Sequence, residues 1–316
     1  MLKKAERERH TFPDMMLTLL VLVLMAFFYH GIHALMLAAV CAAFSLAAEM
    51  ISVKFLGREF RYGDLMCITD GIILSLMMPA SMAYRAAAAG SVFAVVCAKN
   101  VFGGRKNMIF SPAAAGYIFM LTSWKKDMLS FPETYAHTGF FADTEGLASS
   151  ASHIYNTTGR MEHTGYEILM GSFSGPMGGV SILLLMIAAA VLILRKDISA
   201  GAFAGTIAST VLFAAIAAEH GTKMRTAALA VAMNMVLFAA VYIVSDKRLA
   251  PRKAHFAFFY GFFTAAAAYI LVLTMAKENA IVIVSVLMAP AALGFRTLED
   301  KIDILSAEEV SAKEAE

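Results

Sequence analysis

Charge is scarce in this chain. Only 16% of its 316 residues are Asp, Glu, Lys or Arg, where a soluble domain carries about a quarter. Cysteine is scarce too. The three present, Cys41, Cys67 and Cys97, all fall inside apolar runs, with no C-x-x-C and no Cys/His cluster. That excludes an iron–sulfur or zinc site supplied by this chain alone and leaves them as small buried apolar residues. No G-x-G-x-x-G turn follows a strand-like run, so a dinucleotide fold is not encoded. A net charge of +2 gives no reason to expect nucleic acid as a partner. What fills the space is hydrophobic: 59% of residues, with a mean hydropathy of +0.69. Such a chain stays dispersed only with lipid as its solvent, so the sequence predicts an all-α polytopic membrane protein. The basic start, Met1 to Arg9, runs into an apolar stretch without a cleavage-type end, which predicts that the first helix is retained.

A spanning helix needs about 20 mainly apolar residues. About ten stretches qualify, near 15–32, 33–53, 64–80, 84–101, 108–124, 178–195, 199–218, 224–245, 255–275 and 279–295. With the N-terminus in the cytoplasm, most of the 26 lysines and arginines fall on the cytoplasmic side. The exceptions are Arg85, Lys125, Lys126, Arg160, Lys223, Arg225 and Lys277. This bias predicts a multi-pass protein of the bacterial cytoplasmic (inner) membrane with both termini inside. Residues 1–124 then form a first membrane repeat, 125–177 an extracytoplasmic loop, 178–295 a second repeat and 296–316 an acidic cytoplasmic tail. Trp124, the single tryptophan, reads as an interfacial anchor.

Two passages look alike: Ile109-Phe110-Ser111-Pro112-Ala113-Ala114-Ala115-Gly116 and Leu287-Met288-Ala289-Pro290-Ala291-Ala292-Leu293-Gly294. They sit in the fifth and tenth apolar stretches, as a five-plus-five inverted repeat would place them; short Pro-Ala-Ala runs also arise from membrane composition alone. Within the apolar stretches, Asp70, Glu49 and Asn234 stand out, because a charged or amide group at mid-bilayer is costly and marks an ion path by default. Such a path would use Asp70 with carbonyls freed near Pro112 or Pro290. The alternative is that Asp70 caps a short helix or pairs with Lys99 or Lys54.

The polar loop holds the run Asp143-Thr144-Glu145-Gly146-Leu147-Ala148-Ser149-Ser150-Ala151-Ser152-His153. A run of small residues ending in a hydroxyl amino acid suits a phosphoester-linked flavin. Ser152 supplies the hydroxyl. Ser149, Ser150, Thr157 and Thr158 are lesser candidates, and Ala151 keeps the segment small. His153 is placed to contact a flavin, or is a plain surface histidine. An ordinary polar loop has the same composition.

In order along the chain, several further passages resemble the family of RnfD and NqrB membrane subunits. Asp70-Gly71-Ile72-Ile73-Leu74-Ser75-Leu76-Met77-Met78-Pro79 resembles an apolar run ending in Leu-Pro-Pro, and Ala98-Lys99-Asn100-Val101-Phe102-Gly103-Gly104 an Ala-Lys-x-x-Phe-Gly-Gly motif. Ile109 to Ala113 resembles Ile-Phe-Asn-Pro-Ala. Met170-Gly171 and Gly175 to Gly178 with Ser181, then Val244-Ser245-Asp246 with Pro251, Tyr260-Gly261 and finally Glu278, Leu287 and Met288, complete the series. The family's flavin motif, Ser-Gly-Ala-Thr-Pro-Leu, aligns with Ser149-Ser150-Ala151-Ser152-His153-Ile154. Ser150 thus replaces a glycine, which predicts a penalty if the backbone there needs a positive φ. Ser111 stands for Asn, Lys247 for Pro and Gly179 for an acidic residue.

The resemblance implies a membrane subunit of an Rnf-type ion-translocating oxidoreductase complex. It implies FMN on Ser152 through its phosphate, a second non-covalent flavin, Na+ or H+ as the moved ion, a flavin transferase, and other membrane and redox subunits. Those subunits would supply the nicotinamide and iron–sulfur sites, so the chain alone would show no dehydrogenase activity. Two rivals remain: a flavin-free secondary transporter or channel, and a structural anchor for a separate flavoprotein.

Overall fold

The computed structural model describes residues 2–104, 107–133, 135, 146–161, 163–218 and 222–314. Asp143, Thr144 and Glu145 of the polar run, and Arg105 and Lys106, lie outside the described residues. The regular structure of the described residues is helical apart from a two-residue antiparallel ladder, β1 (Phe131–Pro132) with β2 (Leu147–Ala148), and an isolated bridge between Ile198 and Asp246. Two long helices open it, α1 (Leu2–His30) and α2 (Ile32–Phe55), separated by Gly31 alone. Then come α3 (Met66–Leu76), α4 (Tyr84–Phe93) continuing as a π-helical segment over Ala94–Asn100, α5 (Pro112–Ser123) and the single turn α6 (Lys125–Met128). The polar loop contributes α7 (Ala151–Thr158) and α8 (Gly165–Met170). The second half holds α9 (Ile182–Leu194), α10 (Ala200–Ala217), α11 (Lys223–Ala232), α12 (Val236–Ala239) with a π-helical extension to Val244, α13 (Ala254–Met275), α14 (Ala280–Leu287) and α15 (Ala289–Glu314).

Helix forms in each of the ten apolar stretches, but full-length spans are fewer. Among the described residues, four helices are long and apolar enough to cross a bilayer, or six if each bent pair counts as one. The stretch 224–245 is not one helix: it breaks at Met233–Met235 and bends by 58°. The stretch 279–295 bends by 46° between α14 and α15. Stretches 64–80 and 108–124 yield helices of only 11 and 12 residues, about 18 Å at 1.5 Å per residue, short of the ~30 Å hydrocarbon core. Pro112 does not kink a helix interior. It occupies the first position of α5 behind Ser111, whose hydroxyl accepts the Ala114 N–H. A proline there removes a donor that was already unpaired and frees no carbonyl.

Apolar side chains point outward as well as inward. Leu17, Leu20, Leu24 and Phe28 of α1, and Phe259, Phe263, Ile270 and Leu273 of α13, are exposed. A helix apolar on its outer face needs lipid or protein around it. Inside, α10 and α13 pack through glycine. A Cβ on Gly205 would collide with the Phe258 carbonyl, and one on Gly261 with the Ala202 carbonyl. Small residues that let backbones touch are the usual basis of helix association in membranes.

The bundle has two ends. At one, Asp14, midway along α1, pairs with Arg195 after α9 at 3.1 Å, and Thr11 donates to Asp197 at 2.8 Å. There Glu299 of α15 accepts the backbone N–H groups of Arg252 and Lys253 and so caps the entry to α13. We call this the basic end. At the other, the loop end, Tyr29 at the last turn of α1 donates to the Met170 carbonyl at 2.7 Å.

Candidate functional site

Polar side chains gather in three places. The first lies at the loop end and is built on α7. Ser150 is its N-cap, with φ −64° and ψ 153°, and its hydroxyl accepts the His153 N–H. The predicted penalty for replacing glycine here does not arise, because the backbone is extended and serine is a favoured cap, worth about 1 kcal/mol. Gly159, at φ 67°, ends the helix. The Ser152 hydroxyl accepts the backbone N–H of Asn234 at 3.1 Å and donates towards the Met233 sulfur at 3.5 Å. The Asn156 and Asn234 amides bond reciprocally, at 2.6 and 3.3 Å. Asn234 and Met235 both hold left-handed φ values, 57° and 56°. Neither is glycine, and such strain persists only where surrounding contacts enforce it. Two residues singled out separately, Ser152 and Asn234, therefore meet: the loop helix clasps the break between α11 and α12. Sequence patterning missed this because the pair are 82 positions apart.

The first turn of α7 fits a phosphate. Its N-terminus is the positive end of the helix dipole, and small residues surround it. Beside it lies a cavity of about 190 Å³ lined by Ser149, His153, Lys125 and Lys277, among others. Ser152 is only 7% exposed. Esterification there requires α7 to lift from Asn234. Thr157 and Thr158 bond back to the His153 and Ile154 carbonyls.

Glu278 and Asn279, between α13 and α14, close the far wall of the same cavity. Burial pushes the Glu278 carboxyl up to about 7. A raised acid pKa in the fold means the folded state holds its proton longer than the unfolded chain. Stability then falls as pH rises from 4.5 towards 7, and the ionised form is a full cost above that. Glu278→Gln is expected to raise the melting temperature at about pH 8 and to leave it unchanged at about pH 4, the gain being on the order of 3 kcal/mol. Equal shifts at both pH values would contradict it.

The second and third places are at the basic end. Asp70, 1% exposed on α3, does not pair with Lys99 or Lys54. Its partner is Arg248, whose Nη1 and Nη2 reach the two Asp70 oxygens at 3.0 and 2.5 Å. The same guanidinium holds Asp246 through Nε at 2.8 Å and Nη2 at 2.7 Å. Nearby on α2, Glu49 pairs with Lys99 at 3.0 Å and accepts Asn100 Nδ2 at 2.8 Å. Arg58 in turn donates to Asn100 at 2.7 Å. Gly103 and Gly104, at φ 103° and 69°, make the turn beyond, and a Cβ on Gly104 would strike the Arg58 guanidinium. Arg248 carried no signal beyond its charge, so its bridging role was not legible.

The two look-alike passages approach one another. Ile109 and Ser111 from the first, with Ala289 and Ala292 from the second, line a cavity of about 10 Å³, room for a single water at most. Both cavities are smaller than the ~300 Å³ of a typical cofactor pocket. Among the described residues no three His, Cys, Asp or Glu side chains gather as around a metal ion.

Several known proteins are similar to parts of this chain. One is a subunit of the Na+-translocating ferredoxin:NAD+ oxidoreductase complex of Acetobacterium woodii, 30% identical over 128 residues, 39% of this chain and 40% of that protein. Another belongs to the Na+-translocating NADH-quinone reductase of Haemophilus influenzae and is 26% identical over 205 residues, 61% of this chain and 47% of its own. A third, from the ion-translocating oxidoreductase complex of Psychromonas ingrahamii, is 27% identical over 132 residues, 40% and 37% of the two chains. The matches thus span less than half the length of these relatives. Residues 2–294, nearly the whole chain, match one family throughout. The chain belongs to the NQR2, RnfD, RnfE family.

Proposed function

We propose that this chain is a membrane subunit of an ion-translocating oxidoreductase complex of the Rnf type. It carries FMN on Ser152 and frames a passage for Na+ or H+ through the bundle. Membership of a family whose named relatives are such subunits supports the assembly. The observation that carries the finer reading is the clasp of α7 on the broken helix at Asn234, which ties the candidate flavin segment to the membrane core. The basic end then faces the cytoplasm of a bacterial inner membrane and the loop end faces outward. Partner subunits provide the nicotinamide and iron–sulfur sites, and a flavin transferase loads Ser152.

When bound, the flavin supplies the electron chemistry. The protein's own residues position and exclude. The α7 N-terminus, with Lys125 and Lys277 nearby, neutralises phosphate charge, and Asn156 with Asn234 fixes the segment against the bundle. The buried Ser152 hydroxyl favours one rival, the structural anchor that carries no flavin.

Intact-mass measurement after co-expression with a flavin transferase separates the two. The expected result is the mass of one FMN on the wild type, retained in Ser149→Ala and lost in Ser152→Ala. Asn156→Ala, which loosens the clasp, is expected to speed loading. An unmodified wild-type mass would favour the flavin-free rivals instead, the transporter or channel as well as the anchor.

A further inference from the structure

The last helix runs on past the bundle. Ala289 and Ala292 of α15 share a small cavity with Tyr260 of α13. Further along α15, Glu299 meets the backbone of Arg252 and Lys253 at the start of α13. From Ala292 to Glu299 the helix advances about 10 Å, and α13 advances as far between Lys253 and Tyr260. The two helices therefore run antiparallel here, and α15 leaves the bundle along its axis. With 22 residues, α13 measures about 33 Å, enough to cross the hydrocarbon core. Its start marks the edge of the lipid. From Glu299 to its end at Glu314, α15 extends about 22 Å further.

This projecting segment has two unlike faces. One turns towards α13: Arg252 pairs with Asp300 at 2.9 Å and Lys253 with Asp303 at 2.7 Å. Leu298 and Leu305, two turns apart, lie on another side with Ile302 between them, the spacing by which a helix anchors in a groove. They are 48%, 59% and 42% exposed in that order. Beyond Leu305 the sequence adds Glu308, Glu309, Glu314 and Glu316 against Lys313 alone. That charge selects what can cover the apolar stripe. Helices that lie on membranes carry Lys and Arg on their polar face. The cytoplasmic leaflet is anionic and repels an acidic segment. Two copies of the segment repel one another for the same reason. A protein surface with an apolar groove and a basic rim complements both features.

We infer that the Leu298–Leu305 stripe of α15 is a docking surface for another subunit, which receives it in an apolar groove edged by Lys and Arg. This goes beyond the flavin reading and rests only on the chain being part of a complex.

Photo-crosslinking in membranes that hold the assembled complex tests it, with benzoylphenylalanine placed at Leu305 and, separately, at Leu298. One dominant adduct to a different polypeptide is expected. Its crosslinked peptide, identified by mass spectrometry, is expected to carry more Lys and Arg than Asp and Glu. With the photoprobe at Leu298, Leu305→Ser is expected to weaken docking about tenfold, the loss of one apolar anchor, and to lower the adduct yield accordingly. The same change is expected to leave the melting temperature of the isolated chain unaltered, because Leu305 is exposed there. Adducts to phospholipid or to a second copy of this chain would overturn the proposal, as would a crosslinked peptide without basic excess. Ser152→Ala is expected to give the wild-type adduct, so failure of the flavin reading leaves the result intact. A complex that assembles without an adduct from either position removes this inference alone. A chain that assembles with no other subunit removes the complex reading and this inference with it.

Discussion

Arg248→Met is expected to cost about 3–5 kcal/mol of stability, the penalty for stripping the counter-charge from buried ions. The guanidinium is shared by Asp70 and Asp246, and each carboxylate engages it through both oxygens. Without it, the Asp70 carboxylate stays enclosed on α3 and loses its counter-charge, while Asp246 keeps the Arg248 backbone N–H at 2.8 Å. Arg248→Lys is expected to recover little, because an ammonium cannot address two carboxylates in fork geometry. The loop is also held by Arg296, which donates to the Arg248 and Ala250 carbonyls. Its fold therefore survives in part. Combining Arg248→Met with Asp70→Asn and Asp246→Asn is expected to return most of the stability, as removing a whole buried ion cluster does. Chemical or thermal denaturation in detergent reads both effects. A loss below about 1 kcal/mol in Arg248→Met would mean that the cluster is solvated in solution.

Lys99→Met is expected to be of similar size. Glu49 has no exposure and Lys99 has 1%, so the pair is fully removed from water. Removing the ammonium leaves the carboxylate with the Asn100 amide alone. A double-mutant cycle with Glu49→Gln apportions the interaction. Each single change is expected to destabilise by about 3–5 kcal/mol and the double by much less, giving a coupling of at least about 2 kcal/mol. Additive single effects would show that the two side chains do not sense one another. The Ala98–Gly104 passage owes its composition to this knot. Lys99 and Asn100 fill its centre, and Gly103 and Gly104 supply the left-handed turn that lets Arg58 close over it.

Some of this was legible from residue order. The positions of the helices followed from apolar stretches, since a backbone in lipid must satisfy its own hydrogen bonds. Their lengths did not follow. The stretch 224–245 reads as one continuous span, but two left-handed residues divide it, and those are held by α7 from a distant part of the chain. Likewise, Pro112 reads as a place where a carbonyl is freed, whereas Ser111 makes it a helix start. Asp70 was visible as an expensive charge. Its partner was not, because 178 residues separate it from Arg248 and nothing in local spacing joins them. Ser150 looked strained against its glycine counterpart, and only the observed φ shows that it caps a helix instead.

By itself, the sequence determined the solvent, the helical class and the family. These depend on summed composition and on motif order, which need no contact to be read. Tertiary structure alone decided which charges are neutralised, where helices break, and that the Ser152 hydroxyl is buried against Asn234. Those outcomes turn on pairings between distant segments, and their free energies exist only once packing has excluded water.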